Sequence, residues 1–294
     1  MTHSRKKKNR AKKGKWRKFV FLAIFFGVIL SLGIFFFLLP KPEEKKVQPM
    51  PPSPGPPAKE AEEAKREKEE KLPPPARLAL IIDDGGYNTE KIKGLMGIGR
   101  PMTFAILPNT PHARKVALMA HENGSEVMLH LPMEPKESER YSLEEDTVLT
   151  GMSKEEIQSI LQRDLKQIPH VRGVNNHMGS KATEDPKVMQ ALMEILKRQG
   201  LYFIDSHTSP RSLGPKKARE IGVAFGSNSQ FLDPEKDLKA IKNAIRLAIK
   251  KARQEGKAIA IGHPHSLTVQ ALREMIPEIE GAGIRLVFAS EVVG

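Results

Sequence analysis

The sequence contains no cysteine, which excludes disulfides and thiolate metal sites and leaves His, Asp and Glu as possible metal ligands. Aromatic residues are scarce, at 5% of the chain, with a single tryptophan, and seven of the twelve phenylalanines crowd into one apolar run. Acidic residues are missing from positions 1–18, which carry ten Lys and Arg. That segment accounts for most of the net charge of +13 and leaves about +3 for everything after it, so the basicity is local. Charge of either sign is missing from residues 19–39.

Those 21 residues, FVFLAIFFGVILSLGIFFFLL, match the roughly 20 needed to cross a bilayer. They have no polar face for a surface helix and no small-residue cleavage pattern at their end, so they read as an uncleaved transmembrane anchor. Trp16 sits where an interfacial aromatic belongs. The basic tail, residues 1–18, stays in the cytoplasm by the positive-inside rule, and the rest of the chain is sent outward. Placed beside a membrane signal, the tail is not read as a nucleic-acid site. The expected location is the cytoplasmic membrane, single-pass, with the C-terminal domain periplasmic or extracellular. Residues 40–76 form a linker, first proline-rich (VQPMPPSPGPP), then charged and without an apolar stripe (AKEAEEAKREKEEK).

From residue 77 to 294, short apolar runs alternate with amphipathic stretches. Strands are expected at 78–82, 102–107, 126–130, 172–176, 201–205, 222–226, 258–262 and 284–289. Ser153 and Glu156 form a capping-box signature, and two stretches beginning Asp-Pro, at Asp185 and Asp233, read as helix starts. Pro277 should kink or break the last helix. Repeated strand–helix alternation predicts a parallel sheet covered by helices, an α/β distorted (β/α) barrel of seven or eight strands.

Polar chemistry is confined to the C-terminal ends of the strands and the turns just beyond them: DDGG, HLPMEP, NNHMGS, DSHTS, GSNSQ and GHPHS. The opposite turns, such as GIGRP, ENGS and EGKA, are plain. A parallel barrel builds its active site at the C-terminal strand ends, so this asymmetry points to an enzyme. Asp83 and Asp84 are adjacent, and strand alternation predicts that they diverge. A divalent cation bound by one of them would relieve their repulsion and leave the other to accept a proton. His130, His177 and His263 fall at strand ends on the same expected face, and two histidines with one carboxylate make a hydrolytic metal site.

In order, the motifs IIDDGG, MTFAILP, EVMLHLPMEP, GVNNHMGS, FIDSHTS and AIGHPHSLTVQAL resemble the divergent polysaccharide deacetylase family, a distant relative of the NodB-type carbohydrate esterases. The resemblance spans roughly residues 78–293 and implies a distorted (β/α) barrel. It implies Asp83 as catalytic base, Asp84 and His130 as metal ligands, and His263 as general acid. The esterases' second ligand histidine is replaced here by Glu134, so either Glu134 or His177 completes the site, with His177 the favoured choice. Asn175, Asn176, Asp205, His207 and His265 are candidates to ligate or to support the ligands, Asp205 by orienting His263 or a ligand. The implied reaction is metal-assisted, most readily zinc-assisted, removal of acetyl groups from N-acetylated cell-envelope carbohydrate. Few aromatics remain to stack on sugars, Tyr87, Tyr141 and Phe231 being the best placed. The alternative is a non-catalytic envelope protein that uses the same barrel face to bind glycan or a protein partner.

Overall fold

A computed structural model describes residues 75–294 of the chain; the basic tail, the apolar run and residues 40–74 of the linker lie outside them. Among the described residues no helix is long and apolar enough to cross a membrane. The strands are β1 (Ala76–Gly85), β2 (Thr103–Ile106), β3 (Glu126–Met133), β4 (Val171–Met178), β5 (Tyr202–Asp205), β6 (Phe225–Ser227), β7 (Gln230–Phe231), β8 (Lys257–Gly262) and β9 (Ile284–Val287). The helices are α1 (Thr89–Met96), α2 (Ala113–Glu122), α3 (Lys154–Gln167), α4 (Pro186–Gln199), α5 (Gly214–Ile221), α6 (Leu238–Glu255) and α7 (Ser266–Gly281).

The strands pair in parallel in the order β6-β5-β4-β3-β2-β1-β8-β7, and β9 lies along the first half of β1. The expected count of seven or eight strands is exceeded by β7, which two residues could not announce by periodicity. The curl also stays open, since among the described residues no ladder joins β6 to β7. Those strands are separated in sequence only by Asn228 and Ser229. A parallel pair needs a crossover of roughly a dozen residues or more, so strands joined this tightly cannot close the barrel against each other.

Alternation along each strand sorts the apolar residues into two layers. Ala79, Ile81, Ala105, Met128, Ile204 and Ile261 form a cluster inside the curl, together with Tyr202. Their neighbours Leu80, Ile82, Phe104, Leu129, Val174 and Phe203 belong to the larger core beneath the helices. Buried Glu126 closes the N-terminal end of the interior by accepting hydrogen bonds from Thr103 Oγ1 (2.9 Å), Tyr202 OH (2.8 Å) and the Ser290 N–H (3.1 Å). Gly173 leaves room for that tyrosine, because a Cβ there would lie 2.2 Å from its ring. At the other end, the same inward rows continue into Asp83, His130, Asn175, His177 and His263.

Local signals set most helix boundaries. Ser153 and Glu156 form the reciprocal capping box that opens α3. Asp185 caps α4 through the N–H groups of Lys187 and Val188, and Gly200 in the left-handed region ends it. Asp237, not Asp233, caps α6, and Pro277 does not break α7, which runs on through it with Ile276 and Ile279 buried on either side. Burial on that face outweighs the hydrogen bond a proline forfeits.

Candidate metal centre and acid–base pair

Asp83 and Asp84 do not diverge. Along β1, Ile82 pairs with Phe104 and Gly85 with Ile106, so three steps on one strand face two on the other. The extra residue forms a bulge, and Asp84 takes up the left-handed conformation at φ 55°. This reversal turns Asp84 back toward the side that Asp83 already faces. Asp83 Oδ2 lies 3.6 Å and Asp84 Oδ1 3.4 Å from the same atom, His130 Nε2. Met178 (φ 51°) and His207 (φ 60°) are also left-handed, at the same end of neighbouring strands. Such residues cost about 1–3 kcal/mol each and gather where a site dictates the backbone.

Three donors converge at the bulge. Asp84 Oδ1, His130 Nε2 and His177 Nδ1 are separated by 3.4, 3.2 and 3.1 Å. Donors held at bond lengths of about 2.0–2.1 Å around a tetrahedral ion sit about 3.3–3.4 Å apart, close to this triangle. The protonation pattern agrees. The Asn175 amide donates to Asp83 Oδ1 (2.8 Å), so its oxygen accepts from His130 Nδ1 (2.8 Å). His130 therefore carries a proton on Nδ1, and in its neutral form it presents a bare Nε2 to the triangle. Asp84 Oδ1 is buried and has no hydrogen-bond partner among the described residues. A lone pair facing an unpartnered carboxylate oxygen calls for a cation, and the residues present fit a divalent metal.

The carboxylates of the site also draw positive charge toward it. Burial raises the Asp84 pKa, but the His130 and His177 rings beside it outweigh that and hold the carboxyl far below the usual range. Burial disfavours a charged His130, yet Asp83 and Asp84 outweigh it and lift the ring above its ordinary value. Asp83, 2% exposed, is pushed up by burial, and the charges of His130 and His263 and the Asn175 hydrogen bond only partly reverse this.

Across from the triangle, His263 Nε2 faces Asp84 Oδ2 at 3.9 Å. Its Nδ1 donates to Asp233 Oδ1 (2.8 Å), and its backbone N–H donates to Asp233 Oδ2 (2.8 Å). Burial works against the charged ring, but the hydrogen bond and charge of Asp233, then Asp84 and Asp83, raise its pKa to about 9. Asp233, His263 and His265 also lie close enough to be considered for a second ion. Chemistry argues against that, because both Asp233 oxygens are already taken, Oδ2 also by Thr268 Oγ1 at 2.6 Å.

The remaining candidates fall elsewhere. Glu134 is no ligand: its carboxylate accepts from the Thr150 N–H (2.7 Å), Thr150 Oγ1 (2.6 Å) and Lys181 Nζ (2.6 Å), tying down the segment after β3. Asn176 braces the backbone of Met178 and Ser206. Asp205 does not orient His263; it shares the outward parity of Phe203 and accepts from the His207 N–H. His207 lines an outer cleft with Phe225 and Lys257. The His265 ring lies 5.8 Å from that of His263, beside the dyad rather than in it. Two residues escape sequence reasoning. Asp233 is hidden by its Asp-Pro context, and Glu144, 3.4 Å from His177 Nε2, by its place in a loop. Tyr87 (57% exposed) and Tyr141 (50%) leave their rings open, whereas Phe231 is half-buried.

Comparison with known proteins agrees with the motifs. Residues 80–293 match the family model described as divergent polysaccharide deacetylase. The chain is 38% identical over 217 residues to the uncharacterized protein YibQ of Escherichia coli strain K12, covering 74% of this chain and 67% of that one. It is 32% identical over 222 residues to an uncharacterized protein of Haemophilus influenzae strain Rd, covering 74% of this chain and 79% of that one. Among solved structures, the uncharacterized protein ATU2773 of Agrobacterium tumefaciens C58 shares the fold at a TM-score of 0.71 and 23% identity, over 75% of this chain and 90% of that one. The chain belongs to the divergent polysaccharide deacetylase family.

Proposed function

We propose that this protein is a metal-dependent hydrolase that removes acetyl groups from N-acetylated carbohydrate of the cell envelope. The observation that carries this reading is one arrangement. A three-donor triangle with a bare nitrogen and an orphaned carboxylate oxygen stands between a buried carboxylate, Asp83, and an Asp-supported imidazole, His263. A divalent cation held by Asp84, His130 and His177 would supply a Lewis acid for the scissile carbonyl and lower the pKa of a water from about 15.7 toward about 7. Zinc suits the two-nitrogen, one-oxygen donor set.

The protein's own groups divide the proton work. Asp83 takes the proton of the attacking water, and its raised pKa makes it a stronger base than an ordinary carboxylate. His263, protonated at neutral pH with Nδ1–H engaged by Asp233, directs its Nε2–H into the site and delivers that proton to the departing amine. The C–N bond breaks, acetate leaves with the water oxygen, and the sugar amine is released. Each positioned acid or base is worth roughly 10²- to 10⁴-fold in rate.

On this reading the protein is anchored in the cytoplasmic membrane through residues 19–39, with the basic end inside and the catalytic domain facing envelope carbohydrate.

Acetate release by the full chain from N-acetylated envelope glycan fragments, with and without chelator, tests the proposal. Asp84→Ala and His177→Ala should both lose bound metal and turnover. Full retention of metal by both variants overturns the metal assignment. Absence of turnover across a broad glycan panel, with fold and metal intact, transfers the protein to the non-catalytic binding role.

A further inference from the structure

We propose that Glu144 is the positioning residue of His177, the carboxylate that fixes which of its ring nitrogens faces the metal site. The inference rests on the metal-centre reading above and extends it to a residue that the family motifs do not include. His177 uses Nδ1 toward Asp84 and His130. Its other nitrogen, Nε2, is buried and has no hydrogen-bond partner among the described residues. The Glu144 carboxylate stands 3.4 Å from that atom, on the side of the ring away from the triangle. A neutral imidazole that offers Nδ1 as a lone pair must carry its proton on Nε2. Buried in that form, it needs an acceptor, and Glu144 is placed to be one. A carboxylate there also makes the ring a stronger donor, as it does for metal-bound histidines in general.

The segment that bears Glu144 is built to hold it. Val148 bridges to Met133 at the end of β3, the Glu134 N–H donating to the Val148 carbonyl (2.9 Å) and the Val148 N–H to that of Pro132 (2.8 Å). The Glu134 carboxylate fastens Thr150, and Arg163 Nε of α3 holds Asp146 Oδ2 at 3.2 Å. Thr147 Oγ1 donates to the Glu144 carbonyl itself at 2.6 Å. The strap that follows Glu144 in sequence is thus pinned to the sheet and to α3. Glu134, which stands where the esterases place a ligand histidine, anchors the strap that brings Glu144 to His177. The second ring atom of His177 would otherwise face no acceptor.

The test uses the full chain in detergent and two independent readouts. In the first, the tautomer of His177 is read from long-range ¹H–¹⁵N spectra of metal-free Asp84→Ala protein, in which the competing acceptor beside Nδ1 is gone. With Glu144 intact it should show the Nε2–H form, with Glu144→Ala added a mixture, and with Glu144→Gln added, whose carbonyl can still accept, the Nε2–H form again. In the second, zinc affinity is measured by competition with a chromophoric chelator. Glu144→Ala should bind roughly 10- to 100-fold more weakly, with Glu144→Gln recovering most of the loss. An unchanged His177 tautomer when Glu144→Ala is added, or a Glu144→Ala zinc affinity within threefold of wild type while Asp84→Ala loses the metal, overturns the role of Glu144. Zinc retained by Asp84→Ala and His177→Ala instead removes the metal-centre reading. The tautomer measurement then still decides whether Glu144 sets the state of His177.

Discussion

Asp233 holds His263 by both of its oxygens, one on the imidazole Nδ1–H and the other on the backbone N–H of the same residue, each at 2.8 Å. A single carboxylate thereby fixes the position, tautomer and charge of the ring. The Asp233→Asn variant should lower the His263 pKa from about 9 toward its ordinary value near 6.5. The alkaline limb of the pH–rate profile should move down with it, and the rate at pH 8 should fall at least tenfold. Stability should follow. A folded-state pKa raised above the unfolded one contributes stability in full below about 6.5 and loses it as pH rises through about 9. Thermal melts across that window should fall more steeply for wild type than for Asp233→Asn, and identical profiles would refute the coupling.

Asp84 occupies a backbone conformation that suits glycine better than any side chain. The Asp84→Gly variant should relieve about 1 kcal/mol of that strain while giving up the attraction between Asp84 and the rings of His130 and His177. It should also abolish the response to zinc. In wild type, zinc at one hundred times its dissociation constant should add about 2.7 kcal/mol, read as a rise in melting temperature. A variant that folds but is indifferent to zinc would identify Asp84 as a ligand. A variant that still responds to zinc would remove Asp84 from the ligand set.

Far from the site, Asp164 on α3 is fully buried, and neither of its oxygens has a partner among the described residues. Burial, then the charge of Asp146, push its pKa up from 3.8 to about 7 against the pull of Arg163. Between those values the folded state binds a proton that the unfolded chain has released, so stability falls as pH rises across the window and levels off above it. The Asp164→Asn variant should flatten this dependence and gain about 1–3 kcal/mol at pH 8. Denaturant titrations at pH 5 and pH 8 check it, and equal midpoint shifts at the two pH values would refute it.

Much of this is legible in the sequence because it depends on period and position along a strand. His130, His177 and His263 share the inward parity of Met128, Gly173 and Ile261, and counting by twos is enough to bring them together. Asp205 fails by the same count, since it follows Phe203 on the outward row. The illegible parts are irregular. No local signal places a bulge between Ile82 and Gly85, so alternation alone puts Asp84 on the wrong face. Asp233 reads as a helix cap because Pro234 comes next, and only the path from β7 to α6 shows that it points at His263. Glu144 lies in a stretch with no period at all, and its meaning comes from Glu134 and Thr150, which set the course of the strap around it.

The bulge on β1 also bears on how the site is inherited. Its information lies in a count of residues, three against two, and not in the identity of any one side chain. The only residues between Ile82 and Gly85 are Asp83 and Asp84, so a deletion there removes a carboxylate and the bulge together, and no point substitution elsewhere would restore both. Substitutions at Asp83 or Asp84 erase a functional group yet leave its place intact, so such losses stay open to reversal, whereas an indel there does not.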